Sequence, residues 1–226
     1  MSGRSKSICH LVLGPASETR KKSKLPLDTH IFLAQNFSLP EGFVYDAFKP
    51  ERFLQTEVFS GGSGPIDFLS IVQFIREFDA YVFSKQPDFS RKIVCFGGPT
   101  RRSFTNTAFL LGAYLILKLD LKASSTAYHF RGIDPSAFEP FMDPSASHSD
   151  FTISVAECWN ALERSKECGW ISFPAPNTPY CWGLIDSDEY AHYNDPLNAD
   201  LHELVPGRLF AMRAPKQILG GCFCDM

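Results

Sequence analysis

The chain has 226 residues, of which 44% are hydrophobic and 21% charged, and its formal net charge is −3. That length suits one generous domain, or one domain with extensions, and the slightly acidic balance gives no reason to expect a nucleic-acid partner, which would call for a basic patch. Phenylalanine occurs 21 times, which argues for a large aromatic core and against a disordered chain.

In chain order, Ile8 to Leu13 reads as a first strand, followed by the basic, solvated run Arg20 to Lys24. Thr29 to Leu33 reads as a second strand and Phe43 to Tyr45 as part of a third. The flexible loop Phe59 to Pro65 then runs into a helix from Ile66, with Pro65 in its first turn and Phe68, Ile71, Val72 and Ile75 on one face. Lys92 to Phe96 is a short apolar run, hence a buried strand, and it ends in the tight loop Gly97 to Arg102. Ser103 to Leu119 is helical and apolar nearly all round, which predicts a central position. Asp150 to Cys168 predicts another helix, closed by Gly169 in the left-handed conformation. Ser187 to Tyr193 reads as a short polar helix and Gly207 to Met212 as a last strand. Strands alternating with helices predict an α/β domain with a mixed central sheet, helices on both faces, and the Lys92 to Phe96 strand inside it.

Seven cysteines at irregular spacings, in a chain that reads as lacking a signal peptide, predict free thiols in a reducing intracellular compartment, cytoplasm or nucleus. The first apolar run is too short for a secretory core. Ala108 to Leu117 falls short of a bilayer span. The six histidines, His10, His30, His129, His148, His192 and His202, lack zinc-ligand spacing, so neither a metal nor a cofactor is expected.

A strand that ends in glycines and feeds a buried helix is an anion-binding arrangement, because loop N–H groups and the helix N-terminus converge. Here it predicts an anion site of Gly97, Gly98, Arg101 and Arg102, with the arginines adding charge-assisted hydrogen bonds. No Lys-Ser or Lys-Thr pair follows, so it is not a nucleotide P-loop. The same turn also occurs for packing alone. Cys95, Gly98 and Arg101 share the Cys-x-x-Gly-x-x-Arg spacing of cysteine-dependent phosphatases. In that chemistry a thiolate attacks phosphorus while the loop and the arginine hold the equatorial oxygens. The alternative is a buried strand-end cysteine that only packs.

The run IVCFGGPTRRSFTNTAFLLGAYLIL resembles the degenerate loop and helix in the N-terminal half of the cell-division-cycle-fourteen dual-specificity phosphatases. The likeness continues in FTISVAECWNALERSKECGWISF, in DSDEYAHYNDPLNADLHELVPGRLFAM, and faintly in THIFL, covering roughly Ile8 to Pro215. It implies a phosphatase-like α/β fold, in a family whose first domain lacks the nucleophile and whose second domain does the catalysis. On that pattern residues 1–28 are an N-terminal strand and basic loop belonging to the domain, and 29–185 are the phosphatase-like domain. Residues 186–206 are a linker helix, and 207–226 the start of a missing second domain with a flexible tail.

Without gaps, the resemblance places Cys95 where the family's first domain has histidine, Phe96 at the nucleophile position, and Arg102 at the retained arginine. A one-residue slide makes Cys95 the nucleophile, but Val94 then replaces the histidine and Arg102 the hydroxyl residue after Arg101. The family's general-acid loop corresponds to Phe59 to Asp67, with glycine or serine in place of the acid and Asp67 a turn inside the helix. Its two groove acids align with Ala191 and Asn194, leaving Asp188, Glu189 and Asp195 nearby as the substrate-groove candidates.

The leading expectation is therefore a docking or binding domain, inactive alone, that meets a phosphorylated protein or a separate catalytic phosphatase domain. The alternatives are an active phosphatase using Cys95 and Arg101, and a phosphopeptide or anion sensor. Self-association stays open. Phe138, Phe141 and Phe151 are expected in the core, and Cys222 and Cys224 in a loose tail.

Overall fold

A computed structural model describes residues 30–35, 44–54, 64–84, 92–142, 151–171, 186–205 and 207–214, and the backbone course of 8–13. The chain divides into two compact units, Met1–Ser165 and Lys166–Met226.

The first unit is built on a four-stranded mixed sheet. Its strands are β1 (Ile8–Leu13), β2 (His30–Gln35), β3 (Asp46–Phe48) and β4 (Lys92–Phe96), in the order β1-β2-β4-β3. β1 runs antiparallel to β2, while β2 and β3 flank β4 in parallel. Parallel neighbours require a crossover. Between β3 and β4 it is made by α1 (Glu51–Leu54) and α2 (Phe68–Ser84). The third strand thus lies three residues beyond the expected Phe43 to Tyr45: Val44 and Tyr45 precede it, and Val44 is exposed. β3 is a short edge strand, and the Tyr81 hydroxyl donates to its Ala47 carbonyl (2.8 Å), satisfying a backbone acceptor at the edge.

β4 is inside the sheet as expected, and both of its faces are covered. Val94 and Phe96 cluster with Ala34 on one face, and Ile93 and Cys95 are buried on the other. After β4, α3 (Arg101–Ala113) passes directly into a π-helical turn, Tyr114–Lys118, in which the Leu119 N–H reaches the Tyr114 carbonyl at 3.2 Å. Leu110, Ala113 and Leu117 are all buried, so this helix is central. α3 packs against α2, β2 and β4.

An aromatic spine joins these pieces. Phe48 meets Phe78 at 5.0 Å, Phe74 meets Phe78 at 5.4 Å, Phe53 meets Phe74 at 5.7 Å and Phe78 meets Tyr114 at 5.0 Å. Each such pair adds about 0.5–1.5 kcal/mol beyond its area burial. Phe74 and Phe78, rather than the half-buried Phe68, therefore anchor α2. One charge enters this core: Asp79 accepts from the Tyr114 hydroxyl (3.1 Å) and pairs with Lys118 (2.9 Å).

The rest of the unit holds α4 (Ala123–Phe130), the two-residue ribbon β5 (Phe141–Met142) and β6 (Thr152–Ile153), and all but the last two residues of α5 (Val155–Glu167). α5 starts five residues after the expected Asp150, because Ser154 and Glu157 form a capping box: Glu157 Oε2 accepts from the Ser154 N–H at 2.7 Å, and Ser154 Oγ from the Glu157 N–H at 3.2 Å. Gly169 closes it at φ 70°, as expected.

In the second unit, α6 (Ser187–Asn194) is capped by Asp186, and β7 (His202–Val205) pairs antiparallel with β8 (Leu209–Ala211). The last strand is shorter than expected, and its partner β7 was not foreseen. Among the described residues no helix is long and apolar enough to cross a membrane. The Arg20 to Lys24 run, most of the Phe59 to Pro65 loop and the Cys222/Cys224 tail lie outside the described residues.

Candidate functional site

The loop after β4 is organised by hydrogen bonds that its own residues make. The Gly97 N–H donates to the Ala34 carbonyl at 2.9 Å, adding one rung to the parallel ladder. Both glycines answer close approach: a Cβ on Gly97 would meet Phe104, and one on Gly98, which stands at φ +49°, would meet the Ser103 side chain. Thr100 is the N-cap of α3. Its Oγ1 accepts from the Ser103 N–H (3.0 Å), and Ser103 Oγ accepts from the Thr100 N–H (3.1 Å).

This cap corrects the expected helix start. Arg101 and Arg102 are not loop residues but the first two residues of α3, and the loop proper is 97–100. The signal was a Thr-x-x-Ser version of a capping box, in which serine does the work usually given to Glu or Gln.

Cys95 sits one residue from the end of β4, in register with Leu33 on β2 and Phe48 on β3. It is 0% exposed. Burial pushes its thiol well above the ordinary cysteine range, so it stays protonated at neutral pH.

Both arginines reach the segment that follows α4. Arg101 Nη2 donates to the Phe138 carbonyl at 2.7 Å. Arg102 donates to Glu139 Oε1 from Nη2 at 3.1 Å and from Nε at 3.4 Å. The Glu139 N–H donates to Thr105 Oγ1 (2.8 Å), and the Phe138 ring stacks on Phe104 with centroids 5.7 Å apart. Glu139 was not foreseen in the sequence; it lies 37 positions from Arg102 and carries no local motif. Nearby on α3, Asn106 is wholly buried with neither side-chain amide atom hydrogen-bonded.

The structure thus gathers Gly97, Gly98, Arg101 and Arg102 at one end of α3, with Cys95 covered in the strand before them. Asp67, expected a turn inside the helix, is instead the N-cap of α2, accepting from the Ser70 N–H at 2.8 Å and the Ser70 hydroxyl at 2.7 Å. Of the three phenylalanines expected in the core, Phe141 is buried, Phe138 is partly buried, and Phe151 is 70% exposed. Among the described residues no group of three or more His, Cys, Asp or Glu is placed to hold a metal ion.

Asp188, Glu189 and Asp195 belong to the second unit and are exposed. The N–H groups of Asp188 and Glu189 donate to the Asp186 carboxylate at 2.9 and 3.1 Å, leaving their own carboxylates in solvent. Asp195 spends one oxygen on the Leu197 N–H at 2.8 Å.

Residues 21–165 match the family described as dual specificity protein phosphatase, N-terminal half. Among similar proteins, dual specificity protein phosphatase CDC14C of Homo sapiens is 27% identical over 168 residues, 74% of this chain and 35% of its own length. Dual specificity protein phosphatase CDC14A of Homo sapiens is 25% identical over 202 residues, 87% of this chain and 29% of its own. Tyrosine-protein phosphatase cdc-14 of Caenorhabditis elegans is 24% identical over 131 residues, 56% of this chain and 17% of its own. The chain spans about a third or less of the length of these relatives. With the strand, loop and helix in place and the match running to the end of the first unit, the chain belongs to the family of the N-terminal half of dual specificity protein phosphatases, of the cell-division-cycle-fourteen type.

Proposed function

We propose that this chain is a phosphatase-fold docking module, without turnover of its own, that engages a phosphorylated protein or a separate catalytic phosphatase domain. The observation that carries this reading is the burial of Cys95, the cysteine at phosphatase spacing. A cysteine phosphatase needs an accessible thiolate facing phosphorus. Cys95 is fully covered within β4, and desolvation holds it as a thiol. Two further features support the reading: Asp67 is spent on a helix cap, and the guanidinium of Arg101 is turned to the Phe138 carbonyl. Asp188, Glu189 and Asp195, exposed on and just after α6, are the proposed contacts for a partner's basic residue.

The test is steady-state turnover of an aryl phosphate and of a phosphoserine peptide by the purified chain and by Cys95→Ser. No Cys95-dependent turnover is expected on either substrate, the peptide being the harsher test because its leaving oxygen needs a general acid. A robust activity abolished by Cys95→Ser would overturn the reading in favour of catalysis by Cys95 and Arg101.

A further inference from the structure

We infer that Ala199–Asp200 is a strained hinge between α6 and the β7–β8 hairpin, wound shut by its neighbours and poised to straighten. Among the described residues three non-glycine positions have positive φ, and two of them are adjacent: Ala199 at 73° and Asp200 at 48°. Aspartate tolerates this region, but alanine has no polar side chain to offset the clash of its Cβ with the backbone carbonyl. Ala199 stands where a left-handed cap ordinarily has glycine: it follows the turn Pro196–Asn198, and the Asp200 N–H closes back on the Asp195 carbonyl at 3.2 Å. Backbone of this kind persists only where the surroundings over-determine it, and it gathers at switch regions.

The surroundings here hold it from both sides. The Leu201 N–H donates to the Tyr193 carbonyl (2.8 Å), tying the exit of the hinge to the last turn of α6. The Arg213 N–H donates to the carbonyl of Ala199 itself (2.8 Å), tying the chain after β8 to the hinge. Asp200 Oδ1 stands 2.9 Å from His202 Nε2, and the His202 ring lies 5.8 Å from that of Tyr190, so α6 and β7 meet across the joint. From the near side, Asn198 Nδ2 donates to the His192 carbonyl at 2.9 Å. These ties lie close to solvent, the Asp200 and His202 side chains being 44% and 29% exposed. Contacts of that kind open locally, below the free energy of the whole fold, and a hinge is a few element-terminal residues that take up a large change in φ. Relaxing residues 199 and 200 to negative φ releases the Leu201 and Arg213 ties together and lets the hairpin leave α6.

The experiment is amide hydrogen exchange of the full chain by NMR, reading the Leu201 and Arg213 N–H groups, with the buried Leu110 N–H as the control for global unfolding. Ala199→Gly removes the strain and keeps the turn, so both hinge amides should become about fivefold better protected. Ala199→Val puts a β-branched residue where φ is positive, so both should lose protection together by about tenfold or more while Leu110 stays as it was. Asp200→Ala should weaken both, and Asp200→Asn, which tolerates the same φ and keeps an acceptor for His202, should restore them. Protection that is unchanged or lower in Ala199→Gly overturns the hinge, and this variant decides the matter even where Ala199→Val fails to fold. Loss at only one of the two amides, or an Asp200→Asn no better than Asp200→Ala, overturns it as well. The measurement uses no ligand and no turnover, so the hinge and the docking reading fail separately.

Discussion

At its C-terminal end α3 runs into aromatic packing: Trp159 fills the space beside Gly112, and Tyr114 reaches the buried Asp79. At its N-terminal end the same helix is held by the hydroxyls of Thr100 and Ser103 and by two arginines that reach across to Phe138 and Glu139, all at or near solvent. The first end is shaped by volume and has one solution. The second is shaped by short polar contacts that a substitution can remove without moving the sheet. In a cysteine phosphatase the second end carries the chemistry. Here the far end anchors the fold, while Thr100, Arg101 and Arg102 at the near end bond to Ser103, Phe138 and Glu139.

The largest effect should come from Gly112→Ala. The place a Cβ would take is occupied by the Trp159 indole, whose Nε1–H donates to the Phe109 carbonyl at 3.2 Å. Overpacking costs about 1–3 kcal/mol, and losing the buried donor's partner about 1–3 more. Better helix propensity returns about 1 kcal/mol, so chemical denaturation should show a net loss centred on about 3 kcal/mol, within a range of about 1–5 kcal/mol. Wild-type stability in this variant would mean that the tight end is not tight.

Asp79→Ala should come next, at about 2–3 kcal/mol by urea unfolding. It removes the Asp79 carboxylate from the buried Tyr114 hydroxyl and from the Lys118 ammonium at once. Lys118 is 21% exposed and can turn toward water, which keeps the cost below that of a fully buried broken pair. A near-zero change would show that Asp79 is not a strut of this core.

Thr100→Ala should be the mildest, about 1 kcal/mol, the usual price of an N-cap hydroxyl. Far-UV circular dichroism should stay native, because only the first turn of α3 is touched. A loss as large as that of Gly112→Ala would erase the contrast between the two ends.

Much of this was legible in the residues. Ile8–Leu13, the apolar Lys92–Phe96 strand and the all-apolar helix after it follow from period and composition, which are local properties. The register of β3 was missed because its three residues, Asp46 to Phe48, carry no alternation long enough to read. α4 was missed for a similar reason: it is eight residues long, and its buried Ala123, Thr126 and Phe130 mark only a sparse face.

By itself the sequence determined the α/β class, the central strand and helix, the left-handed Gly169 and the phosphatase-like spacing from Cys95 to Arg101, because each is written within one element or one short run. The tertiary structure alone decided that Cys95 points into a covered sheet and that Arg101 and Arg102 are answered by Phe138 and Glu139. Burial and charge pairing depend on what the rest of the chain brings alongside. Spacing within a motif sets which atoms lie near one another, but neighbours distant in sequence decide whether a thiol ionises and whether an arginine still has a hand to offer.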